Sequence, residues 1–488
     1  MSLQQDIDRI TDILRRDDGI SGAMHYTEQI SWILFLKFLD DLEHEKENEA
    51  ILTGIPWTPI LPLEYRWSTW ACPKTPEGKP NLNLTATGDD LTAFVNDTLF
   101  PYLKAFSDTE NTDTFQYKIG AIFQFLDNRI VSGHTLREVL DIVDKLHFQS
   151  ETELFELSLV YEHLLQNMGD AGGYAGEFYT PRALVKAIVA VMDAQPGQTI
   201  YDGAAGSCGF LVENFEHFKN RKNELTTGQW QTIQTQTFYG IEKTSLAYVM
   251  GMMNMILHGI ESPNLYRANT LTKNIRDIGE SERYDLIFSN PPFGGKEKSQ
   301  IQQNFPVTSN ATELLFLQHF MRSLRQGGKA AIVVPEGILF QTGNAFAQVK
   351  QELLENFDLH TILSLPSGVF LPYSAVKTNV LFFNRTGRTR DIWYYECVPE
   401  QKLTKNRPLT QAHLADFVAR FKTRDTTNVS WTVSVDELPG NYDLTARNPA
   451  RQNATFHRTP SDILLAIRDK EKQIGDLFDE IETLLQER

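Results

Sequence analysis

In Tyr284-Asp285-Leu286-Ile287-Phe288-Ser289-Asn290-Pro291-Pro292-Phe293, an apolar run of strand length stops at a polar residue followed by two prolines. Consecutive prolines fix φ twice and hold Asn290 and Pro291 extended. Asn290-Pro291-Pro292-Phe293 therefore falls at the strand's C-terminal end, where open α/β sheets bind their ligands. It presents a side-chain amide oxygen and a backbone carbonyl, with no competing N–H from Pro291. Two converging acceptors suit an exocyclic amino group, which has two hydrogens to donate. Phe293 adds a flat face on which a base can stack. A strand-to-loop turn with an aromatic plug would use the same residues, so the tetrapeptide alone leaves both readings open.

Around it, from about Gly172 to Asn384, short apolar strands alternate with helical stretches. They are TIYDGAAG from Thr199, TFYGIEK from Thr237, KAAIVVPEG from Lys329, HTILSLPSG from His360 and VKTNVLFF from Val376. The alternation predicts a mostly parallel sheet with helices on both faces. The last two runs lie too close for a helical crossover and read as an antiparallel hairpin at the sheet edge. Asp202-Gly203-Ala204-Ala205-Gly206-Ser207-Cys208-Gly209 links the first strand to the helix start Phe210-Leu211-Val212. Small residues there let a ligand approach the backbone, and the helix start offers free N–H groups. The stretch is neither GxGxxG nor a P-loop, and tight packing would ask for the same residues. Glu242 ends the next strand, where a carboxylate can accept both hydroxyl hydrogens of a ribose. It lies 40 residues past Asp202 instead of about 20, and the polar stretch Lys219 to Thr237 reads as the insertion responsible.

The first 150 residues read as helical. Ile7, Ile10 and Leu14 keep helical spacing, and Thr27 to Leu42 is apolar nearly all round, as in a buried helix of a small bundle. A Pro- and Trp-rich irregular segment follows (Ile55 to Pro80), then further helical pattern through Leu157 to Leu165. Residues 391–455 look mixed and turn-rich. In 456–488, Ile467, Ile474 and Ile481 stand seven apart, with Leu477 and Leu484 three on from the last two. That heptad seam needs a partner helix. The expected division is thus 1–150 helical, 151–390 catalytic, 391–455 a mixed extension and 456–488 an amphipathic or coiled-coil helix.

The 488 residues are 41% hydrophobic and 22% charged, which excludes wholesale disorder and collagen-like repeats. Three well-separated cysteines offer neither a disulfide framework nor a CxxC metal site. No apolar run is long enough to cross a bilayer, and the first twenty residues carry Asp and Arg where a signal peptide would be apolar. A cytoplasmic location is expected. Lys+Arg 46 against Asp+Glu 63 gives −17, the wrong sign for a protein that grips a phosphate backbone unaided.

A glycine-rich turn, an acidic strand tip and Asn-Pro-Pro-Phe, in that order on successive strands, resemble the S-adenosylmethionine-dependent amino-methyltransferases of DNA. Gly176-Glu177-Phe178-Tyr179-Thr180-Pro181-Arg182 looks like the motif that precedes the first strand in one subgroup of them. With the N-terminal WILFLKFLDDLE segment and the heptad tail, the whole chain resembles the modification (M) subunit of type I restriction-modification systems. The resemblance implies a Rossmann-like α/β methyltransferase domain, preceded by an α-helical domain and followed by a C-terminal helical tail. It implies that Glu177, Phe178, Tyr179, Thr180, Pro181 and Arg182 line the methionine end of S-adenosylmethionine. Asp202, Gly206, Ser207 and Cys208 would form the cofactor turn, Glu242 would hold the ribose, and Asn269 would lie near the cofactor's adenine. Asn290, Pro291, Pro292 and Phe293 would receive a flipped target adenine, with no metal and no covalent intermediate. The chain departs from the common pattern at Gly203 (often Pro), Cys208 (often Gly or small) and Asn269 (often Asp). Implied partners are a specificity (S) subunit, a second M copy in an M2S complex, a restriction (R) subunit and double-stranded DNA, with no membrane. The acidic balance fits delegation of sequence reading to the S subunit, and the heptad tail is a candidate docking element for its helices. A methyltransferase of RNA or of protein glutamine, and a non-catalytic assembly subunit, are the competing readings.

Overall fold

The computed structural model describes residues 3–75, 79–81, 83–148, 153, 157, 160, 164, 180–371, 374–452 and 468. Within them nine strands form one sheet: β1 (Ile200–Asp202), β2 (Phe238–Glu242), β3 (Asn264–Arg267), β4 (Tyr284–Ser289), β5 (Leu324–Pro335), β6 (Asp358–Ser364), β7 (Thr378–Asn384), β8 (Asp391–Glu396) and β9 (Ser430–Ser434). Their order is β3-β2-β1-β4-β5-β7-β6-β8-β9. β1 to β5 are mutually parallel, and β1 lies between β2 and β4. Strand order reverses at β1/β4, which places the ligand crevice outside the C-terminal ends of those two strands.

The sheet is buried on both faces, so its strands read as apolar runs. Leu286, Phe288, Ala331, Val333, Val380 and Phe382 face one core, while Ile287, Ala330, Ile332, Val334, Leu381 and Phe383 face the other. Helices Thr312–Ser323 and Asn344–Asn356 cover the second face. Helices Arg182–Met192, Gly209–Lys219 and Ser245–Leu257 cover the first.

Helix Ser245–Leu257 is buried at every position from Ala247 to Leu257 because it is packed from two sides. On its outer side stands the N-terminal bundle, whose helix Ala23–Thr53 is buried continuously from Gln29 to Asp41. Ser31 Oγ donates to Met250 Sδ at 3.0 Å, and Phe125 meets Tyr248 edge-on with ring centres 5.8 Å apart. Adaptable methionines suit such a doubly packed face. Buried Gln29 ties the bundle together by donating to Asp127 O and accepting from Trp32 Nε1 and Arg129 N at 2.9–3.0 Å.

Two expectations change. β6 and β7 do pair antiparallel, with β7 inserted between β5 and β6, but they are not the edge. The segment read as a mixed extension contributes β8, parallel to β6, and β9, antiparallel to β8. The reason is that Trp393 and Tyr395 enter the first core and Ile392 and Tyr394 the second, so β8 is covered on both faces. The insertion before β2 folds as helix Thr227–Gln236, started by a capping box from Thr226 and Gln229. Leu157, Val160 and Leu164 are helical and buried. The heptad tail lies outside the described residues. Among the described residues, no helix is long and apolar enough to cross a membrane.

Candidate active site

A cleft opens above the C-terminal ends of β1 and β4. Among its lining residues are Thr180, Arg182, Asp202, Gly206, Ser207 and Asn290, with Asn254 and His258. Chain order scatters these over 110 positions, and the β1/β4 neighbourhood collects them. The strand tips are joined directly: Ser289 Oγ, at the end of β4, donates to Asp202 Oδ1 at 2.7 Å. Asp202 Oδ1 also accepts from Ala204 N at 3.0 Å, which folds the chain back into the glycine turn. Burial pushes the Asp202 carboxyl up to about 7; the Ser289 hydroxyl and Ala204 N–H oppose the rise, and nearby Glu242 adds to it.

Glu242 closes the turn from behind. Its Oε2 accepts from Gly206 N at 2.9 Å and its Oε1 from Thr244 N at 2.7 Å. Burial raises its pKa, and the Thr244 and Gly206 amides hold it down. Cys208 begins helix Gly209–Lys219 in the left-handed region, φ 64°, a conformation that explains why glycine is common there. It belongs to the turn through its backbone, while the thiol is fully buried. A Cβ on Gly251 would stand 2.8 Å from both Cys208 Sγ and Gly206 O, so helix Ser245–Leu257 reaches the turn only because it has glycine there. Three residues on, Asn254 Nδ2 donates to Ser207 O at 2.9 Å. His258 Nδ1–H donates to Asn254 O at 2.8 Å, and burial lowers its pKa to about 4, so the imidazole is neutral.

Gly203 stands where a Cβ would come within 2.8 Å of Tyr201 Oη and 2.9 Å of Phe320. Tyr201 fills that space because its hydroxyl pairs with His319 Nε2 at 2.9 Å and its ring stacks on Tyr284 at 4.4 Å. A proline Cβ at 203 would meet the same contacts. Asn269 follows β3, and its Oδ1 accepts from Leu271 N at 3.1 Å, capping a short turn. Ala268 N donates to Glu242 O at 2.9 Å and holds this segment to the acidic tip.

Asn290 is the site's most informative side chain. Its Nδ2 donates to Thr180 Oγ1 at 3.1 Å. Its Oδ1 is buried and has no hydrogen-bond partner. A buried acceptor left unmade costs about 1–3 kcal/mol, which a ligand donor would remove. Pro291 is buried and Pro292 half-buried beside it, and Phe293 packs edge-on to Phe370 with ring centres 5.8 Å apart. Glu177, Phe178 and Tyr179 lie outside the described residues, while Pro181 caps helix Arg182–Met192 and Arg182 pairs with Glu213 at 4.0 Å. Among the described residues, no group of acidic, His or Cys side chains could hold a metal ion.

Sequence reading missed Ser289, Asn254 and His258. Ser289 carried a signal, being a polar residue at the tip of an apolar strand. Asn254 did too, as the one amide in Met252-Met253-Asn254-Met255-Ile256-Leu257.

The fold is that of an α/β methyltransferase, with the cleft at the strand-order switch. Within that class, residues 155–457 match the N-6 DNA Methylase family and residues 3–143 match the HsdM N-terminal domain. The methylase subunit of the type I restriction enzyme EcoEI from Escherichia coli is 35% identical, over 99% of this chain and 98% of its own. The EcoKI methylase subunit of E. coli K12 is 30% identical over 82% of this chain and 73% of its own. A solved modification subunit assigned to a type I restriction enzyme of Vibrio vulnificus YJ016 superposes with TM-score 0.84 at 37% identity, covering 94% of this chain and 99% of its own. A chain from a structure describing complex assembly and conformational transition of the type I R-M system is 41% identical, TM-score 0.76, over 100% of this chain and 98% of its own. The chain belongs to the N-6 DNA methylase family and, within it, to the methylase subunits of type I restriction enzymes.

Proposed function

We propose that this chain transfers a methyl group from S-adenosylmethionine to N6 of an adenine flipped out of double-stranded DNA, at a site chosen by a separate specificity subunit. The carrying observation is the Asn290 amide just past the tip of β4, whose Nδ2 donates to Thr180 Oγ1 and whose Oδ1 is a buried acceptor without a hydrogen-bond partner. The chemistry of the lining supports this cofactor: Gly206 and Gly209 line the cleft without side chains, and Asp202 sets an ionisable carboxyl beside it. Asp202, Gly206 and Ser207 would hold it, with Glu242 and Asn254 fixing the turn and Thr180 and Arg182 at its rim. The bound cofactor supplies an electrophilic methyl group.

Adenine N6 is a weak nucleophile because its lone pair is delocalised into the ring. Acceptors from Asn290 and the Pro291 carbonyl draw on its two hydrogens and favour a more tetrahedral nitrogen, which turns the lone pair toward the methyl. Phe293 stacks against the flipped base, whose extrusion costs roughly a few kcal/mol. Positioning and electrostatics in a desolvated cleft provide the rate.

The assembly follows the relative described in a type I complex, which matches this chain end to end. A second M copy, one S subunit and an R subunit are the expected partners, in the cytoplasm. The net charge of −17 leaves the basic DNA groove to the S subunit. Incubating the purified complex with labelled S-adenosylmethionine and DNA from a host lacking the gene tests the reaction. Label in N6-methyladenine is expected; DNA left unlabelled, or label in the protein alone, would refute the proposal.

A further inference from the structure

The C-terminal edge of the sheet also presents an aromatic side chain for which methyl transfer leaves no role. β5 runs parallel to β4 with Ser289 opposite Ile332 and continues to Pro335, so the segment leaving β5 emerges at the same edge of the sheet as the strand tip that precedes Asn290. In that segment Ile338 and Leu339 are buried, whereas Phe340 is 52% exposed. One exposed phenylalanine is ordinary. The way this one is mounted is not.

Lys350, on helix Asn344–Asn356, is fully buried, and its Nζ donates to Leu339 O at 2.9 Å and Gln341 O at 2.8 Å. These carbonyls flank Phe340 on both sides. Burial lowers the Lys350 pKa to about 8 against the pull of Asp443, so gripping the segment costs desolvation of an ammonium group. Leu339 O takes a further donor, Leu444 N at 3.0 Å, and Gln341 N closes on Gly337 O at 3.0 Å. The backbone is immobilised while the ring stays in solvent. A fixed apolar ring matches one feature of the substrate: the gap and unstacked neighbours left in a duplex when a base rotates out. Apolar wedges between base steps stabilise such distortions.

We infer that Phe340 is a positioning residue that enters the DNA base stack beside the flipped adenine and holds the extruded state open. This rests on the reading of the chain as an adenine methyltransferase of DNA. The test uses the complex with the specificity subunit, carrying wild-type chain, Phe340→Ala or Phe340→Trp. Methyl transfer is measured on two duplexes bearing the motif that the host methylome reveals. In one the target adenine pairs with thymine; in the other it faces an abasic site, where little holds it in the stack.

Phe340→Ala is expected to slow transfer to the paired duplex by about tenfold or more and to stay within about twofold of wild type on the abasic one. Phe340→Trp restores the paired rate, and cofactor affinity and co-purification with the specificity subunit do not change. Equal rates for wild type and Phe340→Ala on both duplexes, or an equal loss on both, would overturn the inference. Loss of the specificity subunit from the Phe340→Ala complex would assign the ring to a protein interface instead. A wild-type complex that methylates neither duplex would remove the underlying reading as well, an outcome separate from any effect of Phe340.

Discussion

Removing the Ser289 hydroxyl isolates the electrostatics of the glycine turn that we propose holds the cofactor. Ser289 Oγ donates to Asp202 Oδ1 at 2.7 Å, and of the two bonds that hold the Asp202 carboxyl ionised it has the larger effect. Burial has already raised that carboxyl from its ordinary 3.8 to about 7. A hydrogen bond to a charged group contributes about 1.5–3 kcal/mol. At 1.36 kcal/mol per pH unit, Ser289→Ala moves the Asp202 titration a further one to two pH units upward, roughly to 8–9. The cofactor carries positive charge at its sulfonium and its amino group, so it prefers ionised Asp202. Wild-type affinity for S-adenosylmethionine should therefore rise as pH passes about 7. In Ser289→Ala only about 1–10% of the carboxyl is ionised at pH 7, so affinity there falls on the order of tenfold and recovers toward pH 9. Stability runs in the opposite direction. The folded state holds a proton that the unfolded chain has lost, so this group's contribution declines as pH climbs from about 4 to 7 and is flat above. Calorimetric titration from pH 6 to 9 reads the binding curve. A pH-independent affinity in wild type, or an unmoved inflection in Ser289→Ala, would refute the reasoning.

Other perturbations act on the same turn. Glu242→Gln removes a like charge and should shift the Asp202 inflection downward, opposite to Ser289→Ala. It also weakens the hold on Gly206 N and Thr244 N, so binding above pH 8 should still be weaker than wild type. Gly251→Ala drives a methyl to 2.8 Å from Cys208 Sγ and Gly206 O. It should cost about 1–3 kcal/mol in thermal melts, with the larger part of the defect in the cofactor-induced rise in Tm. All three cysteines are buried, and burial holds Cys72 and Cys397 at about 11. A thiol reagent at pH 8 should leave native protein unlabelled and label three groups in denaturant.

The sequence readings that held were those in which local chemistry and global position agree. The apolar run 284–289 followed by Asn290-Pro291-Pro292 dictates a strand with a rigid acceptor at its tip, and the structure has both. β8 and β9 were not legible because Asp391–Glu396 is apolar on both faces only in the company of helix Gln411–Arg420 and Leu444, partners distant in sequence. β3 is four residues long and half exposed, too weak a pattern to register. Helix Ser245–Leu257 shows why the second layer of the site was hidden. Its apolar character reads as core, which is correct, but Gly251 and Asn254 meet the glycine turn on one side of a helix whose other side packs on the N-terminal bundle. That double packing is a tertiary fact with no local signature.

The claim on which the rest depends is that Asn290 presents its amide oxygen to a target adenine. Single-molecule sequencing of host DNA, with this chain as wild type and as Asn290→Ala, tests it most directly. Loss of one developing-charge acceptor in such a site slows reaction on the order of 100- to 1,000-fold. The expected result is disappearance of N6-methyladenine from one bipartite motif in the Asn290→Ala strain, with the complex still assembled and still binding S-adenosylmethionine. Unchanged methylation at that motif in the Asn290→Ala strain would contradict the account.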